Sequence, residues 1–145
     1  MSVKFDKVLL VDDDNINNFL SEEIIAGANI TDEVVLLTDG QQALNYLNNL
    51  ESLENQKSQK LLILLDLNMP EMDGKTCLEE LKKDSRLKGI PIIIYTTSAQ
   101  QTDRDETLKL GAAHFITKAT SFPKMIEGIE KAIGTVSRQK RFRHG

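Results

Sequence analysis

The sequence predicts an α/β protein: a doubly wound, five-stranded parallel sheet with helices on both faces. Two observations carry that prediction. Short apolar runs alternate five times with stretches whose apolar residues recur at helical spacing, the pattern of successive strand–helix units. The runs are also continuously apolar, as burial on both faces of a sheet requires. At 145 residues the chain suffices for one domain with a proper core and is short for two.

The elements follow in order. "VLLV" (8–11) reads as the first strand. Ile16, Phe19, Leu20 and Ile24 then recur at helical spacing, and Gly27 marks the expected stop. "VVLLT" (34–38) is the second strand, followed by Ala43, Leu44, Leu47 and Leu50 on one helical face. The polar "ESLENQKSQK" (51–60) reads as a helix end and a loop. "LLILLD" (61–66) is the third strand and the most apolar stretch of the chain. "LNMPEMDG" (67–74) is a loop, with Pro70 holding Met69 out of helical geometry. Asp73 would cap the short helix carrying Cys77, Leu78 and Leu81. "PIIIYT" (91–96) is the fourth strand, and a weaker helix over about 102–110 ends at Gly111. "HFIT" (114–117) is the fifth strand. Phe122, Met125, Ile126, Ile129 and Ile133 give the last and clearest helical stripe.

Composition narrows the function classes. Apolar residues make up 40% and charged residues 28% of the chain, the profile of a globular protein. No apolar run approaches the roughly 20 residues of a membrane helix. The N-terminus "MSVKFDK" has no apolar signal region. The single cysteine, Cys77, allows no internal disulfide and reads as a small buried apolar group. A cytoplasmic protein is expected. The net charge of −4 conceals an asymmetry. Residues 137–145 hold Arg138, Lys140, Arg141 and Arg143 and no acid. Taking those four from 18 basic residues leaves 14 against 22 acidic ones, a charge of −8 for residues 1–136. We therefore expect a folded domain over 1–136 and a basic, flexible tail over 137–145. An acidic body is a poor nucleic-acid binder, so neither nucleic acid nor membrane is expected as a partner.

In open parallel sheets ligands bind beyond the carboxyl ends of the strands. The first strand ends there at Asp12 and Asp13, the third at Asp66 and the fourth at Thr96, and the fifth runs into Lys118. Three carboxylates would repel one another unless a cation joined them or one kept its proton. A hard divalent ion suits such oxygens, and Mg²⁺ takes one or two carboxylates while keeping several waters. Metal, ammonium and hydroxyl together are equipment for a phosphoryl group, with a carboxylate as its acceptor. Asp14, before "NINNFL", reads instead as a helix N-cap.

The segments "LLVDDD" (9–14), "LLILLDLNMPEMDG" (61–74), "PIIIYTTSA" (91–99) and "GAAHFITK" (111–118), in this order and spacing, make the chain resemble the receiver domains of two-component response regulators. The likeness covers about residues 5–135. It implies a flavodoxin-like three-layer sandwich with strand order 2-1-3-4-5. It implies Asp66 as the phosphoacceptor for a sensor histidine kinase. Asp13 would ligate Mg²⁺ with Asp66 and the backbone carbonyl of Asn68, and Asp12 would act largely through a bound water. Lys118 and Thr96 would bind phosphoryl oxygens. Phe115 would turn inward as the aromatic switch, altering the face that a downstream protein or a phosphotransfer protein reads. The domain would act alone, as a monomer or weak homodimer. The residues "TTS" and the non-proline after Lys118 are similar to stand-alone receivers paired with phytochrome-type kinases.

Three departures from the family pattern matter. Ala119 stands where a proline, often cis, usually follows the lysine; a cis Lys118–Ala119 bond would cost about 3–4 kcal/mol. Thr97 replaces a smaller alanine and would restrict access to Asp66. Asn68 and Ser98 occupy the positions that tune phosphoryl lifetime, and neither is a base, so slow dephosphorylation is expected. Two other functions fit parts of the sequence. A receiver-like module would bind partners without being phosphorylated; acetyl phosphate with Mg²⁺ separates the two. A haloacid-dehalogenase-type phosphatase would use Asp12 as nucleophile and Asp14 as acid, but the fourth strand ends in "TTSAQ", without the acidic pair that such enzymes need.

Overall fold

A computed structural model describes residues 5–50, 60–69, 72–119 and 121–144, with side chains described to residue 136. The expected loop over 51–59 and the role of Pro70 fall outside the described residues. Five strands, β1 (Lys7–Val11), β2 (Val34–Leu37), β3 (Leu61–Leu65), β4 (Ile92–Thr96) and β5 (His114–Thr117), form one parallel sheet in the order β2-β1-β3-β4-β5. Among the described residues the helices are α1 (Asn15–Ala28), α2 (Gly40–Asn48), α3 (Gly74–Lys83), α4 (Gln101–Lys109) and α5 (Phe122–His144). The predicted strands are present to within a residue or two at each end.

The continuous apolar runs are explained by two cores. Successive strand residues point to opposite faces. Val8, Leu10, Leu62, Leu64, Ile93 and Tyr95 therefore meet α1 and α5 through Ile25, Met125, Ile129 and Ile133. Leu9, Val11, Ile63, Leu65, Ile92 and Ile94 meet α2 and α3 through Ala43, Leu47, Cys77, Leu78 and Leu81 on the other face. Full burial of each Leu or Ile contributes about 1.5–3 kcal/mol, so β3, buried at every position, anchors both layers. Burial, with the Asp39 and Glu80 charges, pushes the Cys77 thiol up to about 12.

Two expectations are corrected. The stripe Ile16, Phe19, Leu20 and Ile24 is not the buried face of α1: Ile16, Phe19 and Leu20 are 78%, 66% and 54% exposed. The helix instead buries Asn18, Ser21, Ile24, Ile25 and Ala28. Two of its inward polar groups are bonded, Asn18 Nδ2 donating to the Asp12 carbonyl at 2.9 Å and Ser21 Oγ to the Tyr95 hydroxyl at 3.1 Å, while Asn18 Oδ1 is buried and accepts no hydrogen bond. Secondly, α1 does not stop at Gly27. It ends at Ala28, capped by Asn29 in the left-handed region with φ 54°. Gly27 serves close packing, since an added Cβ would stand 2.6 Å from Ile126 Cδ1 on α5. Helix α5 runs on to His144, through the basic stretch that begins at residue 137. Lysine and arginine are good helix formers and complement the dipole at a helix C-terminus.

Candidate phosphoryl and metal site

The sheet order brings the ends of β1 and β3 side by side, with Val11 paired to Leu65. Asp12, Asp13 and Asp66 follow directly, and one carboxylate oxygen from each lies within 4.8 Å of the others. Asp12 is fully buried and Asp66 is 8% exposed, while Asp13 faces solvent. Each buried carboxylate is oriented. Asp12 Oδ1 accepts the Asp14 N–H at 3.0 Å, its Oδ2 accepts the Lys118 ammonium, and Asp66 Oδ1 accepts the Leu67 N–H at 2.8 Å. Burial pushes the Asp66 carboxyl up from its ordinary value; a hydrogen bond from Thr96 pulls it down, the Asp12 charge raises it, and Lys118 and the Asn68 N–H lower it.

This donor set fits a hard divalent cation. It is all carboxylate oxygen, converges within bonding distance of one ion, and is partly desolvated, so the mutual repulsion of Asp12 and Asp66 is relieved by positive charge. Asp13 and Asn68 line an opening beside it, of about 540 Å³, with Leu67, Met69, Asp73, Lys75 and Asp103.

The remaining predicted residues surround the same place. Thr96, at the end of β4, is fully buried against Asp66. Thr97 is exposed at the rim. The Ser98 hydroxyl is already committed to Asp103 Oδ2 at 2.6 Å. Lys118 extends from β5, its Nζ also 5.0 Å from the Tyr95 ring centroid. Phe115 is buried in the α2–α3 core, with the Arg104 guanidinium 5.8 Å from its ring centroid. No described peptide bond is cis, so Lys118–Ala119 is trans. The Ala119 N–H, which proline would lack, donates to Met125 Sδ at 3.0 Å. Asp14 caps α1, accepting from the Ile16 and Asn17 N–H groups at 3.1 Å each. Asp73 caps α3, accepting the Thr76 N–H at 2.9 Å.

Sequence reasoning missed Lys75, Asp103 and Asn18. Lys75 and Asp103 sit on different helices and meet only in the fold; Asn18 lies on a helix face that hydrophobic spacing assigned to solvent.

The family model described as "Response regulator receiver domain" matches residues 8–130. The chain belongs to the response regulator receiver family. It is similar to the response regulator Rcp1 of Synechocystis sp., at 35% identity over 126 residues covering 85% of each protein. Among solved structures, the Mn²⁺-bound form of Rcp1 superposes with a TM-score of 0.71 at 31% identity, covering 87% of this chain and 90% of that one. The phosphorylated cyanobacterial phytochrome response regulator RcpA gives 0.73 at 32%, covering 88% and 90%. The receiver fold predicted from the sequence is thus the fold observed. This receiver is a domain of two-component signalling, and its acidic cluster suits a divalent metal. Among the described residues no helix is long and apolar enough to cross a membrane.

Proposed function

We propose that this receiver accepts a phosphoryl group on Asp66 from a sensor histidine kinase, with Mg²⁺ as its metal. The observation that carries the reading is the placement of Asp66: a nearly buried carboxylate at the end of β3, within 4.8 Å of Asp12 and Asp13. In the reaction an Asp66 oxygen attacks phosphorus. The phosphorus–nitrogen bond to the donor imidazole breaks, its electron pair returns to the ring, and an acyl phosphate forms. Mg²⁺ supplies charge neutralisation for the phosphoryl oxygens. Asp13, Asp66 and the Asn68 carbonyl would hold the ion, and Asp12 would act on it through water. Lys118 leaves Asp12 to bind a phosphoryl oxygen, and the Thr96 hydroxyl turns from the carboxylate to another.

Such charge-assisted bonds contribute about 1.5–3 kcal/mol each. Together they approach the roughly 5.5 kcal/mol that moves a two-state population from 1:99 to 99:1. Thr96 and Phe115 are the residues that register the change, and the face built by α4, β5 and α5 presents it to a downstream protein or a phosphotransfer protein. The exposed Ile16, Phe19 and Leu20 on α1 offer a protein donor an apolar seat beside the site. A cytoplasmic location completes the reading. Neither Asn68 nor the committed Ser98 hydroxyl supplies a base for water, which favours a long-lived phosphoryl group.

Acetyl phosphate with Mg²⁺ tests this. Intact-mass measurement should show one added phosphoryl group on the wild type and none on Asp66→Asn. Capture at Asp12 would establish the phosphatase chemistry instead, and no capture would leave a module that binds without phosphorylation.

A further inference from the structure

Lys75 follows Gly74, whose backbone packs tightly against the phosphoacceptor: a Cβ at Gly74 would stand 2.2 Å from the Asp66 carbonyl oxygen. Lys75 therefore springs from the wall of the site, and it lines the same opening as Asp13 and Asn68. Its ammonium is engaged on α4, donating to Asp103 Oδ1 at 2.8 Å and Glu106 Oε2 at 2.7 Å. The other Asp103 oxygen accepts the Ser98 hydroxyl at 2.6 Å, and the Ser98 N–H reaches Thr96 Oγ1 at 3.4 Å. Thr117 Oγ1 fixes the same loop by donating to the Ser98 carbonyl at 2.9 Å. A continuous polar chain thus joins the rim of the site, the first turn of α4 and the Thr96 hydroxyl. Helix α4 also rests on β5 through Arg104, whose guanidinium lies over the Phe115 ring. Thr107 is its one buried residue, and its N-cap Gln100 makes no side-chain capping bond.

Charge balance gives this chain a direction. Before phosphorylation, three carboxylates face a divalent cation and Lys118. A phosphoryl group carries about two negative charges at neutral pH, so acylating Asp66 leaves the site one positive charge short. Lys75 is the cation among the residues lining the opening. Its present ion pairs are solvent-accessible, with Lys75 and Asp103 partly exposed and Glu106 exposed, and such pairs contribute little net stability, whereas an ammonium–phosphoryl bond is charge-assisted on both sides.

We propose that Lys75 is a second phosphoryl-binding cation held in reserve on α4. When Asp66 is phosphorylated, its ammonium leaves Asp103 and Glu106 for a phosphoryl oxygen, and α4 loses its tie to α3. The inference rests on Asp66 as phosphoacceptor.

The test titrates beryllofluoride, a phosphoryl mimic, in the presence of Mg²⁺ into wild type, Lys75→Met and Lys75→Arg, and follows amide exchange over 101–109. Lys75→Met should weaken binding about tenfold, and Lys75→Arg should restore it. In wild type, exchange in α4 should rise on binding; in Lys75→Met it should be raised beforehand. Unchanged affinity in Lys75→Met, a loss that Lys75→Arg leaves in place, or equal α4 exchange in the free Met variant and free wild type would each overturn the inference. A wild type that takes no beryllofluoride at Asp66 sinks the phosphoacceptor reading and this inference with it. Normal wild-type binding with an unaffected Met variant sinks the Lys75 role alone.

Discussion

A Cβ at Gly74 would meet the Asp66 carbonyl oxygen at 2.2 Å and Leu67 Cα at 2.6 Å. Both are backbone atoms, so neither moves aside as a side-chain end would. Gly74→Ala should cost at least about 1–3 kcal/mol, as overpacking does, and should depress phosphorylation by displacing Asp66; denaturant midpoints and intact mass measure the two effects. His114 acts through pH. Burial, with the Arg104 charge, holds its imidazole below the ordinary value of 6.5. A depressed histidine binds fewer protons folded than unfolded. Its contribution is therefore full above pH 6.5 and is lost as pH falls through the folded value. His114→Gln should flatten the acid-side fall of the thermal midpoint, and a slope equal to wild type would refute the assignment.

At the scale of elements, the three adjacent aspartates divide between two jobs. Asp12 and Asp13 belong to the end of β1 and the metal cluster, whereas Asp14 accepts two N–H groups at the start of α1. Asp14→Ala should cost about 1 kcal/mol, the usual value of a lost cap, and leave phosphoryl uptake intact. Asp13→Ala should do the reverse, abolishing uptake with little change in the melt without metal. Elements also show where sequence reading stops. The strands were legible because burial on both faces leaves an unbroken apolar run. The buried face of α1 was not, because it includes Asn18 and Ser21, whose partners Asp12 and Tyr95 lie on strands. Hydrophobic spacing cannot signal a polar group that the fold satisfies.

For the whole molecule, a divalent ion on the Asp12, Asp13 and Asp66 cluster would tether the end of β1 to that of β3. A ligand that binds only the folded state adds stability by mass action, about 2.7 kcal/mol at a concentration a hundred times its dissociation constant. Mg²⁺ at saturation should raise the thermal midpoint of wild type, a chelator should reverse the shift, and Asp13→Ala should show none. A wild-type melt indifferent to divalent cations would argue against the assembled cluster.

The amino-acid sequence alone determined the five strand–helix units, the parallel sheet, the two-sided core and the five polar groups at the strand ends. Each of these rests on local pattern: an apolar run, a helical period, or a polar residue at a strand's last position. The tertiary structure alone decided which face of α1 is buried, that Lys118 rests on Asp12, and that Lys75 bridges to Asp103 and Glu106. Those are contacts between elements distant in the chain. Their partners are chosen by the packing of whole elements, and no periodicity within one segment encodes them.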